Sequence, residues 1–127
     1  MSDFNFDFTL IKRGAPVVTL SSLGIALNES TQKLLDNPEY ISVGYDVAKK
    51  MLALRATDES DENGCRIGGR ARQGWVRVGC KDFIRYLSAE TGIDFMKKAK
   101  QFFAQFNEEI GMVTIEVSKE NENADKT

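Results

Sequence analysis

Period-two alternation commits most of this chain to strands. Phe4-Asn5-Phe6-Asp7-Phe8-Thr9-Leu10 alternates apolar and polar residues without a miss, and Tyr40–Tyr45 and Met51–Arg55 alternate again. Successive strand side chains point to opposite faces, so each run has one apolar face to bury. Pro16–Leu20 and Gly111–Val117 are β-rich runs of strand length. Asp46–Lys50 links two of these runs, which predicts an antiparallel hairpin.

Helices are expected to be few and short. Asn28 is placed to cap a helix over Ser30–Asp36 that buries Leu34 and Leu35, with Pro38 as its stop. Cys80, Phe83, Ile84 and Leu87 recur at helical spacing, and Thr91-Gly92-Ile93 ends that pattern. Residues 95–106 fit both periods: Phe95, Ala99, Phe102 and Phe106 suit a helix, while Phe102, Ala104 and Phe106 suit a strand.

An internal likeness decides between them. Tyr45-Asp46, four linker residues and Met51-Leu52-Ala53-Leu54 recur as Phe106-Asn107, four linker residues and Met112-Val113-Thr114-Ile115. Upstream, each half has a short β-run (Val17–Leu20; Trp75–Val78) and a short helix ending in leucine (Leu35; Leu87). The match makes 100–106 a strand. It gives an α+β, β-rich single domain over 1–117, built from two pseudo-repeated β-α-β-β halves (about 1–57 and 64–117), with 118–127 a disordered polar tail.

Length and composition agree. A chain of 127 residues, 42% hydrophobic and 28% charged, holds one domain with a core of its own. No apolar run approaches the roughly 20 residues of a membrane span, and the acidic MSDFNFDF start is unlike a signal peptide, so the expected location is the cytoplasm. Cys65 and Cys80, with no histidine in the chain, do not complete a structural zinc site. In a reducing compartment they are expected as free, half-buried thiols, though their spacing would permit a hairpin cross-link.

The stretch from Val17 to Asp58, with Val18-Thr19-Leu20, Gly24-Ile25-Ala26-Leu27, Thr31–Leu35, Ile41–Asp46 and Lys50–Arg55, resembles the AbrB/SpoVT/MraZ swapped-hairpin family. The likeness is mainly over 17–56, with a weaker second copy over 65–117. It implies a swapped-hairpin-like barrel and, for a two-copy chain, an intramolecular pseudo-dimer. Such proteins are typically transcription regulators whose paired β-loops carry arginines to DNA. Asn28 stands where the family often has proline, and Asn37-Pro38-Glu39 where it often has Gly-Asp. Leu20-Ser21-Ser22-Leu23 carries none of the basic residues expected of a DNA-facing loop.

Chemistry has few places to reside. Without histidine there is no Ser-His or Cys-His pair, and Gly68-Gly69-Arg70 does not complete a phosphate-binding loop. The chain is therefore expected not to be an enzyme and to need no cofactor or metal. Asp58, Glu59, Asp61 and Glu62 lack the calcium-loop spacing and read as a solvated loop. The net charge of −2 conceals a segregation: residues 57–63 hold four acids and no base, and residues 64–81 hold five bases and no acid.

Arg66, Arg70, Arg72 and Arg77 lie among glycines beside Trp75, a composition suited to phosphate, base edges and stacking. Lys12 and Arg13 form a weaker second patch. The expectation is a small DNA-binding protein, a transcription regulator or mobile-element accessory factor. The alternatives are RNA and a protein-interaction module (a phage or plasmid accessory protein) contacting a partner or a second copy through Phe4, Phe6, Phe8 and Trp75. Against each stands a plain glycine-rich turn, with the arginines solvated or paired to the acidic loop and Trp75 in the core.

Overall fold

The computed structural model describes residues 14–118. The strand expected at 4–10 with Phe4, Phe6 and Phe8, the patch at Lys12 and Arg13, and the tail beyond 118 lie outside those residues. The elements, in order, are β1 Val17–Ser21, β2 Gly24–Leu27, α1 Glu29–Leu34, β3 Tyr40–Asp46, β4 Met51–Thr57, β5 Cys65–Arg66, β6 Val76–Val78, α2 Lys81–Thr91, β7 Lys100–Phe103, β8 Gln105–Asn107 and β9 Met112–Glu116. Among them no helix is long and apolar enough to cross a membrane.

The fold is α+β and strand-rich, in two antiparallel sheets. One runs β6-β2-β1-β7 and the other β5-β3-β4-β9-β8. Each takes strands from both parts of the chain, so the acidic loop does not divide two separate bodies. The expected barrel is corrected: the sheets are open. They share one bent run, residues 100–107, whose kink is at Ala104. The Ala104 N–H donates to the Pro16 carbonyl (3.0 Å) as the last bond of the ladder with β1; Pro16 has no N–H to return, and beyond it β8 pairs with β9.

Gly24–Leu27, to which periodicity alone assigns no state, is a strand because Ser21 and Gly24 close a tight hairpin. The Ser21 Oγ accepts from the Leu23 N–H within that turn (3.2 Å). Gly24 has φ +133°, and an added Cβ would overlap the Val78 carbonyl oxygen. The turn therefore requires glycine for both conformation and space.

Alternation places the core. Val18, Leu20, Ile25, Leu27, Val76, Val78 and Phe102 turn inward from the first sheet. They form one cluster with Ile41, Leu52, Leu54, Val113 and Ile115 of the second, and with Ile84 and Leu87 of α2. Phe95 and Phe102 meet edge to face at 6.0 Å between centroids. Helix α2 ends at Gly92 in the left-handed conformation, as the sequence predicts.

Asn28 caps α1, as expected, and does more. Its Oδ1 accepts from the Thr31 N–H (3.0 Å), the Thr31 hydroxyl (2.8 Å) and the Val17 N–H (3.0 Å), and its Nδ2 donates to the Ala15 carbonyl (2.8 Å). The helix start and the first residues of β1 are thus held by one side chain. Replacement by alanine removes the cap and strands several part-buried donors and acceptors. We expect Asn28→Ala to lower stability by about 2 kcal/mol, read as a fall in the urea midpoint with the slope unchanged.

Candidate nucleic-acid interface

The outward positions of the first sheet form one row. Thr19 pairs with Ala26 on one side and Gln101 on the other, and Ala26 pairs with Arg77. Since paired residues share a face, Arg77, Ala26, Thr19 and Gln101 stand in line on the side away from the core. Short side chains in the middle and long polar ones at the ends make the face concave.

The segment before β6 forms a wall over that face. Arg72 and Trp75 pair as a two-residue hairpin, with the Arg72 N–H donating to the Trp75 carbonyl (2.8 Å) and the Trp75 N–H to the Arg72 carbonyl (3.0 Å). Gln73 and Gly74 at its tip both have positive φ, +53° and +85°, as a type I′ turn requires. The Gln32 side chain of α1 donates to the Gly74 carbonyl (2.9 Å) and to the Leu27 carbonyl (3.1 Å), which ties the tip to the helix. The start of the segment is held by the N–H groups of Ile67 and Gly68, which donate to the Glu39 carbonyl (2.8 and 3.0 Å).

Row and hairpin enclose an open groove of about 700 Å³, whose lining includes Arg70, Arg72, Trp75, Arg77, Thr19 and Gln101 and no acidic residue. Arg70, Arg72 and Arg77 are exposed and Trp75 is half-buried. None of the three arginines has a carboxylate partner among the described residues.

Arg66 is placed elsewhere. It lies on β5 of the second sheet, where it pairs with Glu39 at 3.3 Å. The acidic loop turns on itself: Asp58 accepts from the N–H and hydroxyl of Ser60, and Asp61 accepts from Thr57 and from the Asn63 N–H. The base beside it is Arg55, with 3.9 Å between Arg55 Nη2 and Asp61 Oδ2. Trp75 belongs to the groove and not to the buried core. Sequence reasoning missed Thr19, Ala26 and Gln101, the groove floor, and Gln32, its anchor. The polar Thr19 inside PVVTL was the available signal for an outward row.

A second cavity, about 530 Å³, is lined by both cysteines together with Ser42, Val43, Phe83 and Met112 among others. Both are free, half-buried thiols. Burial pushes the Cys80 thiol above the ordinary range, so it remains protonated to higher pH. Compared with family models, with curated proteins and with solved structures, the chain matches none.

Two outcomes follow from this geometry. Gln32→Ala should release the hairpin, speeding trypsin cleavage after Arg70 and Arg72 severalfold while lowering global stability by only about 1 kcal/mol. Unchanged cleavage would show that the Gln32 bonds do not hold the hairpin down. At pH 8 iodoacetamide should modify Cys80 more slowly than a cysteine peptide, the difference vanishing in urea, as peptide mapping would read.

Proposed function

We propose that this chain is a non-catalytic nucleic-acid-binding protein that works through the groove over the first sheet. The observation that carries the proposal is the convergence of Arg70, Arg72, Arg77 and Trp75 on one open cleft whose lining has no acid. Guanidinium groups pair bidentately with phosphate, and an aromatic ring offers a stacking surface to a base. Small-molecule catalysis would ask instead for titratable groups with matched environments, and none lines the groove except the arginines.

The finer expectation, a cytoplasmic DNA-binding regulator or mobile-element accessory factor built as a swapped-hairpin pseudo-dimer, is retained as part of the proposal. Two hairpins of equal register support it: Tyr45↔Leu52 and Asp46↔Met51 in one, Phe106↔Val113 and Asn107↔Met112 in the other. They lie side by side through β4 and β9. A protein-interaction module is the second reading. It is favoured by Val47 (52% exposed) and Ile110 (51%), which lie in the linkers of the two hairpins and line one shallow cavity.

Binding to a labelled nucleic acid should weaken steeply with salt. The double variant Arg70→Ala/Arg77→Ala should lose about 10- to 100-fold in affinity, and its salt slope should shallow by about 1.4 to 1.8, the loss of two phosphate contacts. Arg66→Ala should change affinity less than about twofold, since Arg66 already faces Glu39 on the other sheet. A double variant that binds like the parent would remove the groove from consideration.

A further inference from the structure

We propose that the groove takes single-stranded nucleic acid, with bases unstacked, in preference to duplex. The inference rests on the nucleic-acid reading above and adds the form of the ligand. Its first support is the floor. From Arg77 to Gln101 the row crosses three inter-strand steps, about 14 Å. Only Thr19 and Ala26 stand between, so the floor admits the flat face of a base.

Its second support is Trp75, which is recessed in the cleft and half-buried. In a duplex the base faces are covered by their neighbours, so the outside offers phosphates and groove edges. A ring set back in a concave wall gains from stacking only when a base is free to enter.

The third support is the hairpin's fixation. A duplex is read by an element that projects into the major groove, a helix or a two-stranded ribbon. The ribbon at this site is Arg72–Trp75, and Gln32 holds its tip against α1. Arg70, Arg72 and Arg77 then serve as phosphate contacts along the strand, while Thr19 and Gln101 offer hydrogen bonds to base edges. Charge, a stacking ring and a floor of small side chains are the parts a single-strand groove combines.

Trp75 is the one tryptophan of the chain, so its emission reports on the groove directly. The full chain is titrated at one salt concentration with a 20-nucleotide oligothymidine, an oligouridine of equal length and a mixed-sequence duplex, each also followed by anisotropy of a fluorescent label. The single strands should quench Trp75 and bind at least about tenfold more tightly than the duplex. An oligodeoxyuridine of the same length, which differs from the oligouridine only at the 2′ position, identifies the sugar that the groove prefers. Trp75→Ala should lose about tenfold or more for single strands and much less for the duplex, which narrows the preference between them, while Trp75→Phe, which keeps a ring and guards against a folding defect, should stay within about threefold for single strands. Duplex bound as tightly as single strands, with Trp75 emission unmoved, would overturn the inference and leave the nucleic-acid reading standing. Binding of none of the three probes at low salt would overturn both.

Discussion

The Asn28 side chain is where the fold and the groove meet. It holds the start of β1 through Val17 and Ala15 and the start of α1 through Thr31. A helix of six residues has little stability of its own, because nucleation is costly and few bonds repay it. α1 persists because it is capped and because the hydroxyl of Thr31, fully buried, has both Asn28 Oδ1 (2.8 Å) and the Val17 carbonyl (3.0 Å) within reach of its one proton. One turn of helix then presents Gln32 to the Gly74 carbonyl. The position of the arginine hairpin therefore descends from a cap more than forty residues earlier in the chain.

Electrostatic segregation is the second constraint. An overall charge of −2 would be expected to repel a polyanion, yet the field at a cleft depends on the charges near it. At about 8 Å of screening length in physiological salt, distant carboxylates count for little. In the acidic loop Asp58 turns on Ser60 and Asp61 on Thr57; Asp82, five residues after Arg77, faces Arg85, and Glu39 faces Arg66. These contacts are exposed or partly so and add little stability. Their effect is to leave Arg70, Arg72 and Arg77 without carboxylate partners among the described residues.

Among the described residues, strand existence was legible at Tyr40–Tyr45 and Met51–Arg55, where alternation gives each run one face to bury and so fixes the register of the hairpin. The Asn28 cap was legible because capping is local. The strand state of 100–106 came from the likeness between Tyr45–Leu54 and Phe106–Ile115, and β7 and β8 occupy it with a kink at Ala104. That kink was not legible: Ala104 makes the last bond of the ladder with β1, and Pro16 opposite it, far away in sequence, has no N–H with which to continue the pairing. The arginine cluster was legible as composition, but its membership was not. Arg66 and Arg70 are four apart, and β5 ends at Arg66, so Arg66 stays on the second sheet while Arg70 lies in the segment that lines the groove over the first. Gln101 escaped notice because nothing local marks a polar residue as the end of a row four strands wide.

The row also constrains how such a groove can arise. Thr19 and Ala26 come from the first part of the chain, Arg77 and Gln101 from the second, and the sequence across the sheet is second, first, first, second. Neither part alone supplies both the floor and its ends. The hairpins of the other sheet pair in like fashion, β4 against β9. The groove therefore exists only when both parts of the chain have folded onto each other: the β1–β2 turn supplies the floor, and the glycine- and arginine-bearing segment before β6 supplies the wall beside it.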